Sequence, residues 1–183
     1  MTKPKNYRKT LIACYLGFIT QAISANFTPL LFLTFRSLYG ISYSLLGLLV
    51  LINFVTQLSI DLIFSFFSHK FNIPKAVKFT PVFTVVGLLL YAAAPLLFPN
   101  TVYLGIVIGT VIFSAGSGFA EVLISPVIAA IPSENPERAM SKLHSIYAWG
   151  VVGVVIFATA YIWLVGKENW QVLIFILSLI PLV

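Results

Sequence analysis

The sequence predicts an all-α membrane protein of six spanning helices, and three observations carry that expectation. Of 183 residues, 60% are hydrophobic and only 9% charged, whereas soluble domains carry about 25% charged residues. Six apolar segments follow one another at about 10–35, 41–67, 79–97, 102–131, 143–166 and 169–183, and a spanning helix needs about 20 such residues. Finally, the 11 Lys and Arg residues fall in short clusters at the turns between these segments. The net charge of +6 therefore reads as charged loops, not as a nucleic-acid groove.

The first segment follows a basic head, MTKPKNYRK, which resembles that of a secretory signal. Its apolar run continues through Phe35, too long for a signal core, so a retained first helix is expected. Lys and Arg counts set the orientation. Lys3, Lys5, Arg8, Lys9, Lys70, Lys75, Lys78, Arg138 and Lys142 lie on one side, and only Arg36 and Lys167 on the other. Nine against two predicts a multi-pass protein of the cell membrane with its N-terminus in the cytoplasm. Cys14 stands alone, so neither a disulfide framework nor a zinc site can be built.

Segment one carries Gly17, Gln21, Ser24 and Thr28 on one helical face, with Asn26 beside it and Pro29 near its end. Segment two bears a longer polar stripe: Asn53, Gln57, Asp61, Ser65 and Ser68. Such a stripe turns toward other helices or water, either for interhelical hydrogen bonds or for a solute. Segment three, with Gly87 and prolines near both ends, reads as a supporting helix. Segment four combines the small residues Gly105, Gly109, Gly116 and Gly118 with a stripe of Ser114, Ser117, Glu121 and Ser125. A charged residue at that depth is costly and marks a candidate site.

Asn135-Pro136-Glu137 is a helix-start signature, so the fifth helix should begin at Pro136, before its apolar run. At 1.5 Å per residue, Glu121 then lies about 15 Å from one end of its helix, and His144 about 12 Å up the antiparallel neighbour. Glu121, His144 and Tyr147 can meet at one depth if the two helices face each other. That makes Glu121 a candidate proton-handling group; the plainer reading is a Glu–His hydrogen bond that holds the hairpin. Segment six stops after fifteen residues without a basic cluster. The expectation is a truncated chain or a half that pairs with a second chain.

Gly17-Phe18 followed by Ile23-Ser24 matches Gly118-Phe119 followed by Ile124-Ser125. Segments one and four thus open two three-helix units of opposite orientation, a 3+3 inverted repeat.

With these features the whole chain resembles the N-terminal six-helix half of a major facilitator superfamily transporter, most nearly sugar–proton symporters of the fucose permease type. The most specific motif is Gly116-x-Gly118-x-x-Glu121-x-x-x-x-Pro126, whose spacing matches the fourth helix of that family. The resemblance implies proton coupling at Glu121 and symport of a small polar solute, a sugar or related compound. Leu143-His144-Ser145-Ile146-Tyr147-Ala148-Trp149-Gly150 resembles the fifth-helix entry, where polar side chains face the sugar. Candidate solute contacts are therefore Gln21, Ser24, Asn26, Asn53, Gln57, His144, Tyr147 and Trp149. The superfamily's Gly-x-x-x-Asp-Arg-x-Gly turn is matched by Ser65-x-x-x-His69-Lys70-x-Asn72, where Asn72 can take the left-handed conformation that Gly supplies. Its Asp is absent, so Asp61 is the candidate substitute, with Lys70 and Arg138 as the other gating residues. The implied partners are a small-molecule solute, protons, the lipid bilayer and a second six-helix half.

Two other classes fit the sequence less well. Ala115-Gly116-Ser117-Gly118 departs from the Gly-x-Ser-Gly of a six-span intramembrane protease, and His144 arrives on a later helix than that mechanism needs. A non-transporting receptor or assembly subunit would share the helices but not the role of Glu121. No phosphate-cradling loop, metal-ligand cluster or nucleic-acid module is seen, so no enzyme activity, cofactor, metal or nucleic-acid partner is expected.

Overall fold

The computed structural model describes residues 7–132 and 135–182, and within them every regular element is helical. Lys3 and Lys5, which contributed to the orientation count, lie outside the described residues. Five helices are long and apolar enough to cross a membrane. They correspond to the first five apolar segments.

The first segment does not stay a single helix. Helix α1 (Arg8–Leu30) gives way at Leu31 to a short α2 (Phe32–Tyr39). Pro29 has no N–H to donate, and its ring crowds the preceding turn. Leu31 N–H accordingly turns to Thr28 O at 3.0 Å, and the helix resumes with Phe35 N–H on Leu31 O at 2.9 Å. Gly40, at φ 66°, closes α2 in the left-handed conformation.

Helix α3 (Tyr43–Phe67) starts on Ser42, whose Oγ accepts from Leu45 N–H at 3.3 Å. Helix α4 (Ile73–Leu97) begins six residues before the apolar run at 79. Asn72 is responsible: its Oδ1 accepts from Lys75 N–H at 3.2 Å. The expected left-handed role of Asn72 is corrected here, because its backbone is extended (φ −82°, ψ 93°), as an N-cap requires.

Helix α5 (Val102–Ala130) matches segment four. Helix α6 (Pro136–Val165) begins at the proline, with Asn135 Oδ1 accepting from Arg138 N–H at 2.9 Å. The last segment forms only α7 (Trp170–Ser178), nine residues, then a 3₁₀ turn over Ile180–Leu182. At 1.5 Å per residue α7 is too short to cross a bilayer.

Helix α5 is the axis of the bundle and buries more of its length than any other spanning helix, whereas α3 and α6 bury least. Small residues allow this. A Cβ on Gly109 would sit 2.7 Å from Tyr91 Cα, and one on Gly105 would sit 2.8 Å from Ala94 Cβ. At one end, Phe27, Phe35, Tyr91, Phe113 and Trp170 stack edge-on or tilted at centroid distances of 4.9–5.9 Å, tying α1, α2, α4, α5 and α7 together. At the other end Cys14, Phe18, Ala120, Ile124, Ile128 and Leu143 join α1, α5 and α6.

Gly109 and Gly47 make a matched test of the backbone approach, since nothing lies within 4 Å of a Cβ on Gly47. Gly109→Leu should cost about 1–3 kcal/mol by overpacking, lowering the thermal midpoint of the detergent-solubilised protein. Gly47→Leu should leave that midpoint within a degree or two. Equal effects would mean that α4 and α5 do not meet at Gly109.

Candidate functional site

Three polar stripes converge on one face of α5. Ser114, Ser117, Glu121 and Ser125 recur every three or four residues and so share that face. Opposite lie the stripes of α1 and α3. Asn53, only 4% exposed, is the hub. Its Oδ1 accepts from Ser114 Oγ and from Gln57 Nε2, both at 2.7 Å, and its Nδ2 donates to Ala25 O at 3.3 Å. Ser24 Oγ lies 2.9 Å from Thr20 O and 2.7 Å from Ser117 Oγ. The Ser24 and Ser117 hydroxyls thus share a hydrogen bond between α1 and α5. These bonds pin α1, α3 and α5 together.

Beyond this clamp the helices part into a hollow of about 750 Å³ between α1, α3, α5 and α6. Gln21, Gln57, Asp61, Glu121, His144 and Tyr147 line it, beside Phe18, Leu51, Phe54 and Leu58. Glu121 is solvent-accessible in it and accepts from Gln21 Nε2 at 3.3 Å through Oε2. Gln21 is 5% exposed, and its Oε1, like Asp61 Oδ1, is buried without a hydrogen-bond partner. Asp61 and Glu121 are within Coulombic reach of each other. Among the described residues, no Lys or Arg lines the hollow.

Glu121, His144 and Tyr147 thus share one hollow, as the helix-start reading anticipated. No hydrogen bond or ion pair links Glu121 to His144 among the described residues. The partner of Glu121 is Gln21, and the His144 ring instead meets Phe18 edge-on at 5.9 Å. Phe18 also meets Tyr147, at 6.2 Å.

The other candidates divide. Ser24 and Asn53 stand outside the lining, in the interhelical clamp. Asn26 Nδ2 donates to Ala22 O at 2.8 Å and to Tyr147 OH at 3.4 Å, bridging α1 to α6 behind the hollow. Trp149 is 74% exposed and borders a separate shallow groove with Ile19, Ile23 and Gly153, away from Glu121. The gating residues do not assemble. Asp61 belongs to the hollow, Lys70 Nζ lies 5.1 Å from the Phe67 ring centroid, and the backbone N–H of Arg138 serves the α6 cap. No ion pair joins Asp61 to Lys70 or Arg138.

Sequence reading missed the apolar wall of the site. Phe18 precedes Gln21 by three positions, and Phe54 precedes Gln57 by three, so each aromatic ring shares a helical face with a polar side chain already singled out. A second hollow of about 400 Å³ lies behind α1, lined by Thr20, Thr80, Thr84 and Ser117, and Gln21 borders both. Among the described residues, no three His, Cys, Asp or Glu side chains are grouped to hold a metal.

No family model, curated protein or solved structure matches this chain.

Asn53→Leu should remove two interhelical bonds, leaving Ser114 Oγ without its acceptor and Ala25 O without its donor. Interhelical hydrogen bonds in membranes average about 0.6 kcal/mol each, so two lost bonds should lower stability by about 1 kcal/mol, read by thermal or denaturant unfolding in micelles. Asn53→Leu with Ser114→Ala should lose less than the sum of the single changes, because both remove the same bond. Strict additivity would mean that the two side chains do not interact.

Proposed function

We propose that this chain, with its five spanning helices and short α7, belongs to one half of a secondary transporter, and that Glu121 couples movement of a small solute to protons. The observation that carries the reading is Glu121 itself: an accessible carboxylate, held by Gln21, inside a hollow walled by four helices and lined by both polar and apolar side chains. A carboxylate tolerated within such helices lies against water, a solute or a partner. A Glu whose hydrogen-bond partner is a neutral amide has no fixed counter-charge to keep it permanently ionised.

The likeness of Gly116-x-Gly118-x-x-Glu121-x-x-x-x-Pro126 to major facilitator helices supports the same assignment. So does the juxtaposition of α1 and α5, the helices bearing the matched Gly-Phe and Ile-Ser pairs, through Ser24 and Ser117. The open side of the hollow, flanked by exposed Leu51, Phe54 and Leu58, would be covered by a second six-helix unit. The solute would then be held between the two halves. In this reading the protein lies in the cell membrane with its N-terminus in the cytoplasm.

Coupling is tested in proteoliposomes that hold this chain with its second half. Glu121→Gln should abolish solute accumulation driven by a proton gradient and spare solute exchange, because an amide mimics the protonated acid. Asp61→Asn should change turnover without removing coupling. Accumulation that survives in Glu121→Gln and fails in Asp61→Asn would reverse the two roles.

Topology is tested separately. In a Cys14→Ser background, cysteines at Asn72 and Asn100 should react with an impermeant thiol reagent from opposite faces. Reaction of both from one face would overturn the alternating arrangement.

A further inference from the structure

The resemblance suggested a sugar, and a sugar needs a site rich in free amides and hydroxyls. Here most of those groups are already engaged with one another. Asn53, Ser114 and Gln57 Nε2 form one network, Ser24 and Ser117 a second, and Gln21 Nε2 is given to Glu121. Beside Ser125, His144 and the Tyr147 hydroxyl, which also line the hollow, what remains open to an occupant is of another chemistry. Two carboxylates face the hollow, no Lys or Arg among the described residues lines it, and the wall includes the rings of Phe18, Phe54 and Tyr147.

Two further observations point to a positively charged guest. Gln21 is buried to 5% exposure, yet its Oε1, beside the amide nitrogen that holds Glu121, has no donor. Asp61 Oδ1 is likewise buried without a donor. Acceptors left unpaired in a hydrophobic setting are costly unless a donor or cation completes them. An aromatic face beside a carboxylate is also the arrangement that attracts an alkylammonium or aryl cation through its quadrupole. A metal ion fits less well, since Phe18, Leu51, Phe54 and Leu58 offer no ligand atoms.

We propose that the hollow binds a monovalent organic cation with an apolar or aromatic body. Its charge rests between Asp61 and Glu121, and its body lies against Phe18, Phe54 and Tyr147. This rests on the transporter reading of the same site and narrows its solute from a neutral polar compound to a lipophilic amine or quaternary cation. Protons and the cation would then compete for the same carboxylates.

The test needs binding only, on the purified chain in lipid nanodiscs, with empty nanodiscs subtracted. The probe is radiolabelled tetraphenylphosphonium, and its control is tetraphenylborate, of the same shape and opposite charge. Saturable binding of the cation, with none of the anion, is expected. Asp61→Asn combined with Glu121→Gln should weaken it at least tenfold, and Phe54→Leu severalfold. L-Fucose in large excess should not displace the probe. Equal binding of both ions, unchanged affinity in the double variant, or displacement by fucose would each overturn the proposal. The phosphonium–borate comparison uses the unaltered protein, so it decides even if the double variant fails to fold. Loss of proton coupling in Glu121→Gln without cation binding would sink this inference and leave the transporter reading standing. Cation binding without proton coupling would do the reverse.

Discussion

A carboxylate deep within apolar helices has to meet water, a proton, a cation or a hydrogen-bond donor, and the arrangement around Glu121 follows from that constraint. Exposure of an ionised acid to hydrocarbon costs about 2.5–3.5 kcal/mol or more on insertion scales. The chain answers with one donor, Gln21 Nε2, and with an accessible hollow into which the carboxylate opens. Both answers require α1, α3 and α5 to stay in register. Their register is held by the buried bonds of Asn53 and Ser114 and of Ser24 and Ser117, and by glycines that bring α5 against its neighbours.

The division of labour along α5 is clear from its neighbours. Its first half packs on α4 through Gly105 and Gly109, against Tyr91 and Ala94; of its polar side chains, Tyr103 donates its hydroxyl to Leu45 O at 2.9 Å and Thr110 returns its own to Ile106 O at 2.8 Å. Its second half turns Ser114, Ser117 and Glu121 toward α1 and α3. Gly118 sits where a Cβ would press within 2.9 Å of Ile60 Cβ, so the helix that carries Asp61 approaches closely just before Glu121. Rigid apolar packing on one side therefore positions a polar face on the other.

Helix existence was legible in the sequence because apolar length reports it directly, and the start of α6 was legible because Asn135-Pro136 has one mechanical meaning. The polar stripes were legible as faces, since their spacing is helical. Their partners were not, because a stripe says which side of a helix is polar and nothing about what stands opposite. Ser24 and Asn53 read as solute contacts, yet each found a serine on α5. Trp149, two residues past Tyr147 on α6, turned outward because at about 100° per residue it stands about 200° around the helix from Tyr147. The break at Leu31 and the short α7 lay beyond apolar counting, which ignores backbone hydrogen bonds. Phe18 and Phe54 carried no polar signal, and only the fold shows that they wall the site.

The central claim is that Glu121 opens to a hollow that water can enter, while the outer faces of α4 and α6 meet lipid. Site-directed spin labelling in bilayers measures this directly, with one label at position 121 and others at Leu96 and Trp163, which are 85% and 83% exposed. Collision rates with a water-soluble nickel chelate and with oxygen, which concentrates in hydrocarbon, separate the two environments. The account predicts nickel-dominated relaxation at 121 and oxygen-dominated relaxation at 163. Oxygen dominance at both would put Glu121 against lipid and contradict the account.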